Sequence, residues 1–146
     1  MSLMYTESIL KELGQAVSGI REEELQKAAD LILGAGQIFC DGLGRSGLSC
    51  KAFAMRLMHL GCRSYFVGET TTTAIQKGDL LLLCSGSGES KALISHGEKA
   101  KEKGAALLLV TGNPESTLGK MADVTLVVKA PKKEDREAAS IMPMGT

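Results

Sequence analysis

The sequence predicts an α/β fold with three layers, in which a five-stranded parallel sheet lies between two layers of helices. Short apolar runs alternate with helical stretches along the chain, which is typical of parallel strands joined by right-handed crossovers. Two of the apolar runs lead directly into a glycine–serine loop that opens a helix. At 146 residues the chain is long enough to bury one core, so we expect a single domain.

The first two predicted elements are helices. Apolar side chains recur every three or four residues over 6–17 and again over 22–33, which is the spacing of one helical face. Thr6 is suited to cap the first helix, and Gly34 is suited to end the second.

A strand, a strongly periodic helix and a second strand are predicted next, over 37–41, 46–60 and 63–67. The apolar face predicted for this helix consists of Leu48, Ala52, Met55, Leu57 and Met58. We expect this face, with both methionines, to pack in the core.

The second half of the chain repeats the alternation. Residues 79–84 are almost entirely apolar, as in a strand that is covered on both faces. The elements predicted after it are a helix over 89–103 with Leu93, Ile94 and Ala100 inward, a strand over 106–110, a short helix from Ser116 and a strand over 124–128. Residues 130–136 are charged and contain a proline, so we expect an exposed loop there.

The two glycine–serine loops, at 42–47 and 85–90, are the candidate binding site. A strand that turns through such a loop into a helix directs backbone N–H groups and the positive end of the helix dipole at one point, which suits a phosphate. The second loop adds the hydroxyls of Ser85, Ser87 and Ser90 as hydrogen-bond donors. Two such loops on neighbouring strands therefore indicate a pocket for a phosphorylated small molecule.

Two other interpretations of the loops are open. The first loop matches the dinucleotide-binding pattern G-x-G-x-x-G, and Glu69 lies about where the ribose-binding acid would be. Arg45 and Ser46 inside the turn, and the lack of an evident second domain for a substrate, argue against a nicotinamide cofactor. Alternatively, the glycines serve only to let helices pack close to strands.

The composition argues against several classes of function. Lysine plus arginine balances aspartate plus glutamate, 17 against 17, and aromatic residues make up 3% of the chain, so we expect no nucleic-acid partner. Two histidines without clustered ligands predict no metal site. The four cysteines form no C-x-x-C pair and are expected to be reduced thiols in the cytoplasm. No apolar run reaches the roughly 18 residues that a membrane span needs.

Six short segments of the sequence together carry a resemblance to a known family. They are the loop 85–90 (SGSGES) and the segments 44–47 (GRSG), 53–61 (FAMRLMHLG), 67–72 (VGETTT), 113–120 (NPESTLGK) and 143–146 (PMGT). Together they resemble the sugar isomerase (SIS) family, and within it the 6-phospho-3-hexuloisomerase branch. The resemblance extends from about Gln37 to the end of the chain.

The resemblance implies a SIS-type sandwich with a flavodoxin-like strand order. It implies interconversion of 3-hexulose 6-phosphate and fructose 6-phosphate, in the ribulose monophosphate pathway of formaldehyde assimilation. It also implies a homo-oligomer, either a tetramer or a dimer, that uses no metal or nucleotide cofactor. The substrate-binding residues then expected are Gly44, Arg45, Ser46, Ser85, Gly86, Ser87, Gly88, Glu89 and Ser90. For Arg45, contact with the phosphate and pairing with an acid of a neighbouring subunit both stay open.

Such an isomerisation also needs a catalytic base that moves the proton. Family members continue past Pro-Met-Gly-Thr into a helix that carries the glutamate regarded as the base, so the resemblance places it beyond Thr146. Within the chain, Glu69 and His59 are weak candidates, because both have structural roles that are simpler. We expect His96 to be solvated and Glu89 to act mainly on the helix dipole.

Two classes of function therefore follow from the sequence. The first is a sugar-phosphate isomerase, which needs a base to remove a proton beside a carbonyl. The second is a non-catalytic module that binds a sugar phosphate. An enzyme like the arabinose 5-phosphate isomerases is a third alternative.

Overall fold

The structure, a computed structural model, describes residues 4–129, and for Met4 the backbone alone. Its helices are α1 Met4–Val17, α2 Glu22–Gly34, α3 Gly44–His59, α4 Lys91–Glu102 and α5 Thr117–Met121. Its strands are β1 Ile38–Gly42, β2 Ser64–Phe66, β3 Leu80–Cys84, β4 Ala106–Thr111 and β5 Val124–Val127. Every predicted helix and strand is present, and the boundaries differ by at most two residues.

The strands form one parallel sheet in the order β2-β1-β3-β4-β5. This order confirms the predicted α/β fold. The chain winds from β1 outward to β2 and then crosses back over β1 to β3, so the winding direction reverses between β1 and β3. The helices that follow these two strands, α3 and α4, consequently lie on opposite faces, and a crevice forms at the carboxyl ends of β1 and β3.

Helices cover both faces of the sheet. Alternate residues of β1 point to opposite faces, so Ile38 and Cys40 pack with α2 and α3 whereas Phe39 packs with α4 and α5. The same alternation brings the buried side chain of Asp41 to the α4 face. Leucines fill most of the core positions of β3 and β4 on both faces, as expected for strands that are covered on both sides.

The buried face of α3 differs from the prediction. The residues of α3 that pack on the sheet are Gly47, Cys50, Ala54 and Leu57. Leu48, Met55 and Met58, which we expected in the core, are 70%, 51% and 51% exposed. The helix has two apolar sides, and the side with smaller residues lies on the sheet because it allows a closer approach. Of the predicted apolar face, Leu57 is buried.

The first helix also departs from the prediction in detail. Helix α1 begins at Met4, so Thr6 lies inside it and is not its N-cap. Leu10, Leu13 and Val17 are exposed, while Ala16 is buried. The apolar spacing of α1 therefore marks a surface that the described part of the chain leaves largely uncovered.

None of the helices within residues 4–129 has the length and apolar content to cross a membrane. The loop predicted at 130–136 lies outside the described residues.

Candidate functional site

The two glycine–serine loops begin side by side. Strands β1 and β3 are hydrogen-bonded neighbours, and their register pairs Gly42 directly with Cys84. Adjacent strands lie about 4.8 Å apart, so the two loops leave the sheet one strand spacing from each other. A small anion in the crevice between them is therefore within reach of both loops.

The first loop is short because α3 begins inside it. The backbone of Gly44 has a φ of 57°, a left-handed conformation that favours glycine, and nothing lies within 4 Å of the position of a Cβ on it. Gly47 is in the opposite situation, since its Cβ would lie 2.4 Å from the carbonyl oxygen of Gly42. Gly47 thus lets α3 pack against the end of β1, whereas Gly44 leaves open space beside the loop.

The second loop also has one glycine in close contact with its surroundings and one beside open space. Gly88 has a φ of 68°, and its Cβ would overlap the Oγ atom of Ser116 at 1.9 Å. Gly86 has open space, with nothing within 4 Å of its Cβ position. The interpretation of the glycines as packing devices is therefore correct for Gly47 and Gly88, while Gly44 and Gly86 leave room for a ligand.

The turn between β4 and α5 holds the carbonyl side of the second loop. The carbonyl of Gly86 accepts hydrogen bonds from the Gly112 N–H (3.1 Å) and the Thr111 hydroxyl (3.2 Å). The carbonyl of Ser87 accepts one from the Asn113 amide, at 3.3 Å. Since C=O and the following N–H point in opposite directions across a trans peptide, the N–H groups of Ser87 and Gly88 face away from the turn.

The serine hydroxyls stabilise the loop on that N–H side. Ser85 is buried, and its Oγ accepts the N–H of Gly88 at 3.1 Å. Ser87 is exposed, and its Oγ accepts the N–H of Glu89 at 3.3 Å. Ser90 is the N-cap residue of α4, but its side chain makes no capping hydrogen bond. These hydroxyls retain the ability to donate to a phosphate oxygen.

The helices that start at the two loops share a feature that suits an anion. Neither α3 nor α4 has a side-chain cap or an acidic residue in its first turn. By contrast, α5 is capped by the Ser116 hydroxyl, and α2 begins with acidic residues. The positive dipole ends of α3 and α4 are therefore not compensated by such groups, and both point into the crevice.

Glu89 supports the loop through α5. Its carboxylate accepts the backbone N–H of Thr117 at 2.7 Å and the Thr117 hydroxyl at 2.9 Å. These hydrogen bonds, the backbone one first, lower the pKa of Glu89 below its ordinary value. The side chain thus acts on the N-terminus of α5, not of its own helix as we expected, and its predicted contact with substrate stays a prediction.

The structure separates the two weak candidates for the base. His59 lies in the last turn of α3 beside Arg56, about 22 Å along the helix from Gly44, so it does not reach the loops of its own chain. Glu69 follows β2 at the carboxyl edge of the sheet, where it is exposed and pairs with Lys51 at 3.0 Å. Arg45 is exposed in the first turn of α3, beside the first loop.

His96 is exposed, as we expected, but one nitrogen of its ring also has a buried partner that we did not predict. Its Nδ1 atom is 2.6 Å from Oδ2 of Asp41, and the Asp41 side chain is only 5% exposed. Sequence reasoning also missed Asp41, although a carboxylate inside an otherwise apolar strand is an unusual feature that signals a partner.

Thiols lie directly beneath the loops. Burial raises the pKa of Cys40 to about 12, and a hydrogen bond with Cys50 together with burial raises the pKa of Cys84. Cys40 and Cys84 are therefore neutral thiols at physiological pH, with a packing role. Across residues 4–129, no group of three or more His, Cys, Asp or Glu side chains is placed to hold a metal ion.

Residues 31–145 match the family described as the SIS domain. A protein of Bacillus subtilis named 3-hexulose-6-phosphate isomerase is 43% identical over 144 residues, which cover 97% of this chain and 78% of that protein. A Mycobacterium gastri protein of the same name is 40% identical over 124 residues, which cover 85% of this chain and 62% of that protein. A solved structure from Methanococcus jannaschii, with an inferred function of 3-hexulose-6-phosphate isomerase, has a TM-score of 0.73 and 37% identity over 86% of this chain and 70% of its own.

Replacing Glu89 by Gln tests its bond to Thr117. The pKa of Glu89 is lowered in the folded state, so the ionised side chain stabilises the fold above its ordinary pKa of 4.5 and loses that contribution as pH falls through the folded value. We expect Glu89→Gln to lower the urea midpoint at neutral pH, and the difference from wild type to shrink below pH 4.5. Glu115→Gln, in the neighbouring turn, is the control. A difference that is independent of pH would contradict this assignment.

Proposed function

We propose, because the chain belongs to the SIS domain family, that it is an isomerase that interconverts 3-hexulose 6-phosphate and fructose 6-phosphate. The observation that carries the proposal is the pairing of Gly42 with Cys84, which brings two anion-binding loops to one crevice. Relatives that bear the name of this activity, at 43% and 40% identity, support the choice of substrate.

The loops suit the phosphate end of the sugar. Two uncapped helix N-termini, the hydroxyls of Ser85, Ser87 and Ser90, and the cation of Arg45 all favour a dianion at the crevice. The open space beside Gly44 and Gly86 allows the phosphate to approach the backbone closely. Binding energy from this remote group then positions the reacting carbons.

The reaction moves one proton between neighbouring carbons. A base removes the proton from C3 of fructose 6-phosphate, the electrons of that bond form the C2=C3 double bond, and O2 takes up a proton to give the 2,3-enediol. Protonation at C2 with loss of the proton on O3 then leaves the carbonyl at C3. A carboxylate in a pocket suits this role. Glu69 is the candidate at the carboxyl edge of the sheet, although its ion pair with Lys51 favours a surface role. The resemblance to the family instead assigns the step to a glutamate that follows the Pro-Met-Gly-Thr segment.

The proposal includes a homo-oligomer, either a tetramer or a dimer. The exposed face of α3 carries Leu48, Met55 and Met58, and the exposed face of α1 carries further apolar side chains. Contiguous apolar surface of this kind is typical of a subunit interface. A second copy of the chain is the partner that we infer for the α3 face.

We place the isomerase in the cytoplasm, within the ribulose monophosphate pathway. All four cysteines are free thiols, which is typical of a reducing compartment. The pathway follows from the proposed pair of substrates.

Titration with fructose 6-phosphate tests the proposed binding site. We expect saturable binding of fructose 6-phosphate and none of fructose or NAD. Ser87→Ala removes a hydroxyl from the N–H side of the loop and should weaken binding about tenfold, since a hydrogen bond to a charged group contributes about 1.5 kcal/mol or more. Ser95→Ala, on the exposed part of α4, is the matched control and should bind like wild type. Isothermal calorimetry measures all of these.

The outcomes separate the candidate functions. Binding of NAD in place of the sugar phosphate would mean that the first loop is a dinucleotide site. Where fructose 6-phosphate binds, incubation in D2O followed by NMR distinguishes the isomerase from a non-catalytic module, because an isomerase forms 3-hexulose 6-phosphate whether or not deuterium replaces the C3 proton. Binding with neither conversion nor exchange would favour the module.

The α3 interface has a separate test. We expect Met55→Glu to convert the wild-type oligomer into monomers, because the new charge would be buried between two copies of the chain. Sedimentation velocity gives the masses, and Ser95→Glu on α4 is the control that adds the same charge elsewhere. A monomeric wild type, or an unchanged mass for Met55→Glu, would contradict the proposed interface.

A further inference from the structure

Asp41 is a buried carboxylate that the proposed reaction does not use. It is the fourth residue of β1, on the α4 face of the sheet, and its side chain is 5% exposed. Its neighbours on this face belong to the leucine-rich core beneath α4 and α5. A carboxylate in such surroundings is costly unless its oxygens are hydrogen-bonded.

Each oxygen of Asp41 has a different partner. Oδ1 accepts the backbone N–H of Gly42 at 2.8 Å. Oδ2 lies 2.6 Å from Nδ1 of His96, and since an ionised carboxylate only accepts hydrogen bonds, His96 is the donor. The side chain of His96 is 43% exposed, so its ring reaches the carboxylate from the edge of α4.

These two bonds connect the elements that carry the two loops. Gly42 is the residue at which β1 enters the first loop, and α4 is the helix that begins at the end of the second loop. Asp41 therefore joins the start of one loop to the helix behind the other. His96 lies six residues from the N-cap Ser90, about 9 Å along the helix axis.

We propose that Asp41 and His96 form a positioning pair that fixes the N-terminus of α4 relative to the first glycine–serine loop. This inference rests on the proposed function, since it assumes that both loops hold the same phosphate. The ring of His96 keeps α4 against β1, so that the N-terminus of α4 and the N–H groups of the first loop point at one anion. Without the pair, α4 is held by its packing on α5, β4 and β3, and the N-terminus of α4 shifts with the second loop and the β4–α5 turn relative to the first loop.

The other end of α4 provides a matched control. Nζ of Lys101 is 2.6 Å from Oδ1 of Asp123, and Oδ2 of Asp123 accepts the N–H of Leu107 at 2.7 Å. Here too, an aspartate joins a side chain of α4 to a strand backbone. This pair lies at the amino edge of the sheet, in the last turn of α4 and far from the loops. It therefore stabilises the helix without fixing the position of the N-terminus of α4.

Binding to His96→Ala, Lys101→Ala and wild type tests the inference. The probes are fructose 6-phosphate and inorganic phosphate, and the free energy of unfolding is measured for each protein. We expect His96→Ala to weaken the binding of both probes about tenfold, the size of an ordinary coupling between two sites. Lys101→Ala should lose stability with a Kd within about twofold of wild type. His96→Asn retains an N–H donor near the position of Nδ1, so it should restore most of the affinity.

The result for wild type separates the two proposals. Failure of wild type to bind fructose 6-phosphate would overturn the proposed function, and this inference with it. If wild type binds, an unchanged Kd for His96→Ala would overturn the positioning role alone. Equal losses in His96→Ala and Lys101→Ala, or no recovery in His96→Asn, would also overturn it, because a general loss of helix packing would then explain the result.

Discussion

The backbone pairing of β1 with β3 is the constraint on which the site depends. It places Gly42 beside Cys84, so two loops that are more than 40 residues apart in the chain leave the sheet one strand spacing apart. The reversal of winding at this point sends α3 and α4 to opposite faces, and both helices begin at the same crevice. Two helix dipoles are then directed at one crevice, where we propose that the phosphate binds.

Close packing beneath the loops and open space above them are both necessary for such a site. Gly47 and Gly88 allow α3 and the second loop to approach their neighbours more closely than a Cβ would permit. Hydrogen bonds from Thr111, Gly112 and Asn113 hold the carbonyls of the second loop away from the ligand side. A loop that is fixed in this way needs little rearrangement when the anion binds, which favours affinity.

Local features of the chain are predictable from the sequence, and non-local partners are not. The loops and the boundaries of the helices follow from short patterns, whereas the strand order was implied only by the family resemblance, and the structure confirms the predicted fold. The face of α3 was predicted wrongly because two of its sides are apolar, and the size of the side chains against the sheet decides between them. The partner of His96 is 55 residues away and that of Glu89 is 28 residues away, distances over which periodicity carries no information.

The central claim is that both loops bind one phosphate together. The most direct measurement is a titration of the 15N-labelled protein with fructose 6-phosphate, followed through the backbone amide resonances. The account predicts that the amides of Gly44 and Gly86, with their neighbours in each loop, shift along a single binding curve with the same Kd. Shifts confined to one loop, or two loops that saturate at different concentrations, would contradict it.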